Sequence, residues 1–267
     1  MPTQKTHPLC KINLGLHIVG QRADGYHDLE TIFLPVPDLC DELEIAANGG
    51  KTAPVPRMVQ DGLVLDNRPE DNICLRAWRL LHDEFGIPAV DIRLTKHIPF
   101  GAGLGGGSSD AAATLQMLNR MFSLGLGDGD LERRAACLGA DCAFFVRSRP
   151  AYATGIGDRL EPVNVNLDGY RIEIEIPEGE HVSTREAYAG IDRNLFGTRR
   201  TDLREAAKRP VGEWRDLIVN DFETSVFPAH PAIAALKEEM YRRGALYASM
   251  TGSGAAVFGL FHKRQAG

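Results

Sequence analysis

Hydrophobic periodicity predicts helices and strands in the first half of the chain. Apolar residues of 73–85 recur with helical spacing and Gly86 follows them, which predicts a helix that ends there. Residues 90–95 alternate between apolar and polar side chains, a pattern typical of a half-buried strand. Helical spacing returns over 111–122 and over 131–138, so two further helices are expected.

The outer parts of the chain carry more strand patterns. Segments 10–17 and 43–47 are predicted strands, and the Gly- and Pro-rich stretch 48–56 between predicted elements is a loop or a hairpin tip. Residues 172–176 alternate between isoleucine and charged residues, which predicts another strand. Two more are expected at 245–250 and 255–261.

A last helix is predicted between Pro231 and Gly244, with Ile233, Leu236 and Met240 on its apolar face. Strands and helices are mixed in both halves without a regular βαβ alternation. We therefore expect an α+β protein with largely antiparallel sheets. The pattern changes near 153–158, so two domains are expected, 1–154 and 155–267.

Composition restricts the classes of partner. The chain has 267 residues, 25% charged and 43% hydrophobic, and a net charge of -6. A broad basic surface for nucleic acid is not expected. No apolar stretch approaches the roughly 20 residues that span a bilayer, and the first residues carry no apolar signal core. The five cysteines are odd in number and scattered, which favours a reduced, cytoplasmic protein over a disulfide framework or a zinc site.

A glycine-rich segment carries the strongest chemical signal. It follows the predicted strand 90–95 directly and runs into the predicted helix 111–122, with the sequence Pro99-Phe100-Gly101-Ala102-Gly103-Leu104-Gly105-Gly106-Gly107-Ser108-Ser109. Glycines let backbone N–H groups approach an anion closely, and a helix start adds unpaired N–H groups and a positive dipole end. Ser108, Ser109 and Asp110 are good N-cap residue types. A triphosphate can be held there without a large basic surface.

Three other interpretations of this segment fit its context less well. The spacing of Gly101, Gly103 and Gly106 matches a dinucleotide-binding fingerprint, but the segment lies in mid-chain and two predicted helices follow it. A Walker loop is disfavoured because no lysine with serine or threonine follows the glycines. A flexible linker is disfavoured because the segment joins a strand directly to an amphipathic helix.

Several residues outside the loop are candidates with two interpretations each. Asp141 follows a glycine turn, where it could equally accept a hydroxyl proton or cap the turn. Lys11 in an apolar strand is either functional or an edge lysine that protects the strand. Tyr26 and His27 beside Gly25 could stack on a base, although a surface turn is the default for such residues. His181 and His230 are expected to be solvated or capped.

The motifs resemble a known family. Pro99 to Asp110 is similar to the second motif of the GHMP kinases (galactose, homoserine, mevalonate and phosphomevalonate kinases), and 250–258 is similar to the third. Within that superfamily, the chain resembles the 4-diphosphocytidyl-2-C-methyl-D-erythritol kinases. The residues that carry this resemblance are Lys11-Ile12-Asn13-Leu14-Gly15-Leu16, Gly20-Gln21-Arg22-Ala23-Asp24-Gly25-Tyr26-His27-Asp28-Leu29, Leu138-Gly139-Ala140-Asp141 and Asn220-Asp221-Phe222-Glu223.

The resemblance implies a two-domain GHMP-kinase-like fold with the active site between the domains. It implies phosphorylation of the 2-hydroxyl of a cytidine-diphosphate methylerythritol by ATP, in the non-mevalonate route to isoprenoid precursors. Magnesium is expected to arrive with the nucleotide, without a separate metal site. Within this resemblance Lys11 and Asp141 act together as the catalytic pair, the loop 99–109 binds ATP, and the substrate contacts are Asn13, Tyr26, His27, Thr184 and Tyr188.

Overall fold

The computed structural model describes residues 3–48, 55–63, 71–198 and 201–263. Contacts between Cα atoms divide the chain into two compact units, each discontinuous in sequence. Unit 1 comprises Met1–Cys10, Pro35–Phe100 and Gly105–Ser148. Unit 2 comprises Lys11–Leu34, Gly101–Leu104 and Arg149–Gly267.

Unit 1 contains a four-stranded sheet in the order β1-β4-β6-β5. Its strands are β1 (Thr3–Thr6), β4 (Glu42–Ala47), β5 (Arg57–Gly62) and β6 (Val90–Lys96). β4 pairs antiparallel with both β1 and β6, whereas β5 pairs parallel with β6. The alternation predicted over 90–95 is present in β6, whose apolar side chains are buried on one face.

The described part of unit 1 also has four helices: α1 (Ile73–Phe85), α2 (Gly106–Met121), α3 (Asp128–Ala136) and α4 (Cys142–Arg147). α1 confirms its prediction. The Asn72 side chain accepts a hydrogen bond from the backbone N–H of Cys74 at the start, and Gly86 ends the helix in the left-handed conformation with φ 66°. α1 packs against α2, and α4 packs against both α2 and α3.

The start of α2 corrects one sequence expectation. The helix begins at Gly106, inside the glycine run, and Gly105 is its N-cap with φ 71° and no side-chain cap. The predicted cap types Ser108, Ser109 and Asp110 are therefore already helical. Glycine takes the N-cap because the chain turns through the left-handed region there, which a residue without a Cβ adopts at little cost.

Unit 2 draws on two sheets, in the orders β2-β3-β7-β8 and β10-β11-β9. The long strands β2 (Leu9–Gln21) and β3 (His27–Cys40) supply residues to both units. The other strands are β7 (Ala151–Thr154), β8 (Arg159–Pro162), β9 (Tyr170–Glu175), β10 (Tyr247–Met250) and β11 (Val257–His262). β3–β7, β7–β8, β9–β11 and β10–β11 are antiparallel pairs.

The helices of unit 2 are short apart from the last. They are α5 (Thr184–Ala189), α6 (Leu203–Ala206), α7 (Glu223–Ala229) and α8 (Pro231–Arg242), with 3-10 turns at Arg193–Leu195 and Val211–Asp216. α8 begins with Pro231 as predicted and packs against β10 and β11. The buried core of this unit includes Leu16, Ile18, Val182, Phe222, Val226, Ile233, Met240, Met250 and Val257.

The predicted fold class is confirmed, since helices are mixed with largely antiparallel sheets. Predicted strands 10–17, 43–47, 172–176, 245–250 and 255–261 correspond to β2, β4, β9, β10 and β11. The predicted loop 48–56 falls mostly outside the described residues. The domain boundary near residue 154 stays a prediction.

Candidate active site

Lys11 is held in a buried polar network on β2 in unit 2. Its side chain is 3% exposed, and its Nζ donates hydrogen bonds to Asn13 Oδ1 at 2.6 Å and to the carbonyl oxygen of Gly103 at 2.8 Å. The ammonium also lies 5.1 Å from the centroid of the Phe33 ring. Because this lysine is buried and bonded within the unit, the interpretation as a protective edge lysine is wrong.

Asn13 connects Lys11 to two hydroxyl groups. Its side-chain amide donates to Thr31 Oγ1 at 3.0 Å, and its backbone N–H donates to Thr251 Oγ1 at 2.9 Å. Thr31 Oγ1 in turn donates to the carbonyl oxygen of Gly15 at 2.5 Å. Asn13 is thus engaged on both sides of its amide, and in this arrangement it orients the Lys11 ammonium.

The middle of the glycine loop packs directly on the late glycine motif. Gly103 has φ 77°, and a Cβ built on it would lie 2.1 Å from the carbonyl oxygen of Thr251. Gly252 has φ 56°, and a Cβ there would lie 3.0 Å from Gly103 Cα. The two backbones therefore approach too closely for any side chain at position 103. The hydroxyl of Thr251 lies 3.3 Å from the carbonyl oxygen of Gly103.

The segment Asn220 to Glu223 fixes the late glycine motif to β2. The Asn220 amide donates to the carbonyl oxygens of Met250 at 2.8 Å and Gly252 at 2.9 Å. Asp221 Oδ2 accepts from the backbone N–H of Ile18 at 2.9 Å. Glu223 Oε1 accepts from the backbone N–H of Met250 at 2.9 Å. We call these residues the Asn220–Glu223 clamp.

His27 and Tyr188 form a stacked aromatic pair, with ring centroids 4.3 Å apart and an interplanar angle of 15°. Phe196 packs edge-on against His27 at 5.7 Å, and Phe222 packs edge-on against Tyr188 at 4.8 Å. Burial, with a smaller contribution from the charge of Arg193, lowers the pKa of His27 below its ordinary value. The ring is therefore neutral at pH 7 and offers both a hydrogen-bond donor and an acceptor.

Tyr26 and Thr184 occupy different surroundings from that pair. The Tyr26 residue is 62% exposed, and its backbone N–H donates to Asp24 Oδ1 at 3.1 Å. Thr184 begins α5, and its hydroxyl lies 3.1 Å from Ser253 Oγ in the late glycine motif. Of the predicted substrate residues, His27 and Tyr188 lie in contact, and Thr184 contacts the late glycine motif.

The glycine loop has the backbone form expected of an anion cradle. Gly101, Gly103 and Gly105 have φ of 67°, 77° and 71°, so three left-handed residues alternate with ordinary ones. α2 follows with its first N–H groups, and a chain of 16 helical residues contributes the positive end of its dipole. In unit 1, a Cβ at Gly106 would lie 2.8 Å from Ile98 Cγ2, which explains a further glycine in the run.

Asp141 stands at the N-cap of the short helix α4 in unit 1, but its side chain makes no capping hydrogen bond to that helix. Its backbone is αR, with φ -77° and ψ -12°. The side chain therefore does not cap α4, while the catalytic assignment stays a prediction. Cys142, which follows it, is fully buried; burial raises its pKa to about 11, so the thiol is neutral.

Neither a membrane-spanning helix nor a metal-binding cluster is found among the described residues. No helix within the described ranges combines the length and apolar character needed to cross a bilayer. Nor do His, Cys, Asp and Glu side chains in that part of the chain gather into groups of three or more that could hold a metal ion. The ring nitrogens of His230 are bonded to Glu180 and Glu186, and its side chain makes no capping hydrogen bond to α8, so the expectation that it is solvated or capped is wrong.

Comparison with known proteins places this geometry in a family. The GHMP kinases N terminal domain matches residues 72–149, and the GHMP kinases C terminal model matches 202–267. The chain is 50% identical over 257 residues to the 4-diphosphocytidyl-2-C-methyl-D-erythritol kinase of Bacteroides fragilis strain YCH46, covering 96% of this chain and 91% of the relative. The chain belongs to this kinase family.

More distant relatives agree. The family member of Chlorobium phaeobacteroides strain BS1 is 44% identical over 95% of this chain and 87% of its own length. A crystal structure of 4-(cytidine 5'-diphospho)-2C-methyl-D-erythritol kinase superposes with a TM-score of 0.77 at 32% identity, covering 96% of this chain and 90% of that one. Mevalonate kinase of Methanococcus jannaschii gives a TM-score of 0.70 at 15% identity, covering 98% and 91%, which reflects the shared fold.

Sequence reasoning missed several residues of this candidate site. Thr251 and Ser253 lie in the late motif, which the resemblance identified without giving its residues roles. Thr31 on β3 and Phe196 carried no signal, because a lone threonine in a strand and a lone phenylalanine in a loop are ordinary features. Contact between β2, the glycine loop and the late motif gives these residues their importance.

Proposed function

We propose that the chain transfers the γ-phosphoryl group of ATP to the 2-hydroxyl of 4-diphosphocytidyl-2-C-methyl-D-erythritol. The observation that carries the proposal is 50% identity, over nearly the whole chain, to relatives that bear this kinase name. Substrate-specific residues support it, since the stacked pair His27 and Tyr188 offers flat faces and ring nitrogens suited to a pyrimidine base.

In this proposal each group has one task. The loop 99–109 and the start of α2 hold the triphosphate through backbone N–H groups, and magnesium arrives with the nucleotide. Asp141 accepts or orients the proton of the attacking hydroxyl, and Lys11 offsets charge on the transferring phosphoryl group. Asn13 keeps Lys11 oriented and can also meet the substrate polyol through its amide.

The remaining predicted contacts belong to the substrate. His27 and Tyr188 bind the cytosine, Tyr26 adds a further ring from the exposed turn, and Thr184 donates or accepts a hydrogen bond. The five free thiols suit a reducing setting, and we propose a cytoplasmic enzyme on that ground.

A coupled assay of ADP release against a small panel of alcohols tests the proposal. The panel contains the cytidine-diphosphate methylerythritol, mevalonate, homoserine and galactose, each with Mg²⁺ and ATP. We expect turnover with the first compound and background rates with the others. Turnover with mevalonate or homoserine, and none with the cytidine-diphosphate compound, would contradict the proposed substrate while leaving a kinase of the same fold.

A further inference from the structure

A buried charged cluster lies beneath the glycine loop in unit 1. Lys96, the last residue of β6, makes hydrogen-bonded ion pairs with Asp41 and, at 2.7 Å, with Asp110 Oδ2. All three side chains are at most 2% exposed. One ammonium therefore pairs with two carboxylates away from water. Sequence reasoning assigned no role to Asp41 or Lys96, and for Asp110 it suggested only an N-cap role, which Gly105 takes instead.

The cluster joins the two ends of the loop. Asp41 Oδ1 accepts hydrogen bonds from the backbone N–H groups of His97 at 2.6 Å and Ile98 at 2.8 Å, directly before Pro99. Asp110 is the fifth residue of α2, which begins at Gly106 at the other end. A Cβ on Gly106 would lie 3.3 Å from Lys96 Nζ, so the ammonium lies against the backbone where α2 starts.

The two carboxylates are not equally satisfied. Asp41 has two backbone donors besides Lys96, whereas Asp110 Oδ1 has no hydrogen-bond partner among the described residues. An ionised carboxylate with one bare buried oxygen is costly. Burial, reinforced by the charge of Asp41 and opposed by Lys96, raises the pKa of Asp110 to about 7.

The neighbouring ionisable groups do not remove this imbalance. Burial disfavours the charged form of Lys96, but the two carboxylates outweigh it and raise its pKa, so Lys96 stays protonated. Cys74 on α1 also faces the cluster, and burial raises the pKa of its thiol far above neutral. Asp110 is thus the group of this cluster whose charge changes near pH 7.

We propose that Asp41, Lys96 and Asp110 are positioning residues that fix the two ends of the nucleotide loop, and that Asp110 takes up a proton when a triphosphate binds there. This rests on the proposed binding of ATP by the loop. Bound phosphates bring negative charge to the start of α2, close to a second negative charge on Asp110. Protonation of Asp110 removes that repulsion and leaves Lys96 paired with Asp41.

The affinity for the nucleotide should therefore depend on pH. Below its pKa Asp110 is already neutral, and binding exchanges no proton with it. Above that pKa binding must either take up a proton or accept the repulsion, so nucleotide affinity falls as pH rises through about 7. The affinity falls by about tenfold for each unit by which the bound triphosphate raises the pKa of Asp110.

Isothermal titration of the full chain with a non-hydrolysable Mg²⁺–ATP analogue tests the inference. Titrations at pH 6.0, 7.0 and 8.5, each in two buffers of different ionisation enthalpy, give affinity and the number of protons exchanged. Asp110→Asn is the matched control, since the amide is neutral at every pH and keeps an acceptor for Lys96. Titration of this variant also measures the protons that the nucleotide itself exchanges on binding.

We expect proton uptake at pH 8.5 in the wild type that exceeds the variant's, with several-fold weaker binding than at pH 6.0. In Asp110→Asn, the proton uptake and the loss of affinity between pH 6.0 and pH 8.5 should shrink to the values that the nucleotide's own ionisation causes. The inference would be overturned if the wild type and the variant showed the same affinity and the same proton exchange at all three pH values. If the variant does not fold, the wild type alone decides: a proton exchange that is the same at every pH would also overturn the inference.

A second pair of variants tests the positioning role. Lys96→Arg keeps the charge, whereas Lys96→Met removes it. Turnover is measured at saturating alcohol substrate with ATP varied. Lys96→Met should show a raised KM for ATP and a smaller change in kcat, and Lys96→Arg should recover part of the KM. Equal KM values in folded Lys96→Met and wild type would contradict the role. Failure of the proposed ATP binding is distinguishable, because wild-type protein would then not bind the analogue. Failure of the proposed alcohol substrate alone would leave these titrations unchanged.

Discussion

At the scale of single residues, the buried side chain of Lys11 is central to the proposed chemistry. A lysine in an apolar strand was an anomaly that the sequence could flag without resolving. Its burial and its bonds to Asn13 and Gly103 explain why the strand tolerates it, since each ammonium hydrogen needs a partner away from water. The sequence could not reveal Gly103 as a partner, because it lies 92 positions away.

Replacement of Lys11 by methionine should abolish most of the turnover. Methionine fills the apolar space of the lysine stem, so the protein should fold, but the charge that offsets the transferring phosphoryl group is lost. We expect kcat to fall on the order of 10² or more. Steady-state kinetics of Lys11→Met measure this, with Lys5→Met as the control, since Lys5 is an exposed lysine on β1. Turnover of Lys11→Met within threefold of the control would make Lys11 structural.

Gly103→Ala should disrupt the contact between the glycine loop and the late motif. The added methyl group would lie 2.1 Å from the carbonyl oxygen of Thr251, so one backbone must move. Gly125→Ala is a matched control, with φ 71° and open space around its Cβ. Both variants bear the left-handed strain of about 1–2 kcal/mol. Chemical denaturation should show a larger loss in Gly103→Ala; equal losses would mean that the close approach is absent.

At the scale of elements, some were predictable and others were not, for identifiable reasons. α1 and β6 followed from clear periodicity and flanking signals. β3 was missed because Pro35 and Pro37 interrupt its pattern, and proline is unusual inside a strand. α4 was missed because five of its six residues are buried, which leaves no helical period to detect. The Asn220–Glu223 clamp was recognisable as a motif, but its hydrogen bonds to distant loops were not.

Asn220→Ala should loosen the late glycine motif. The buried carbonyl oxygens of Met250 and Gly252 lose their donor, and each unpaired group costs about 1–3 kcal/mol. We expect a lower free energy of unfolding and a reduced turnover. Asn119→Ala is the control, since Asn119 also bridges to a loop backbone, that of Leu126, but in unit 1. The stability of Asn119→Ala should fall less than that of Asn220→Ala, and its turnover should persist. Unchanged turnover in Asn220→Ala would contradict the role of the Asn220–Glu223 clamp.

His230 joins the turn between α7 and α8 to the start of α5. Hydrogen bonds to Glu180 and Glu186 raise the pKa of this histidine. A histidine with a raised folded pKa contributes stability that is complete below its unfolded value near 6.5 and is lost as pH rises through the folded value. The melting temperature of His230→Gln should therefore lie below that of the wild type at pH 6 and approach it at pH 9. A difference in melting temperature between wild type and His230→Gln that grows as pH rises would contradict a raised pKa of His230.

At the scale of the whole molecule, charge and fold agree with a kinase that holds phosphates locally. A net charge of -6 offers no general attraction for a nucleotide, and we propose that the backbone of the glycine loop and the start of α2 supply a local one. The fold class and family were predictable from motif order. The fold alone does not choose the substrate, because mevalonate kinase shares it at 15% identity. We propose that this choice rests on residues such as His27 and Tyr188, whose contact spans 161 positions of chain and could not be predicted from spacing.

Phosphorus NMR of the reaction product tests the central claim most directly. The protein is incubated with Mg²⁺, ATP and 4-diphosphocytidyl-2-C-methyl-D-erythritol, and a proton-coupled spectrum is recorded. The account predicts one new phosphomonoester signal without three-bond coupling to hydrogen, because the carbon that bears the 2-hydroxyl also bears a methyl group and no hydrogen. Asp141→Asn should bind the nucleotide but give almost none of this signal. A new signal split by neighbouring hydrogens, or no new signal from the wild type, would contradict the account.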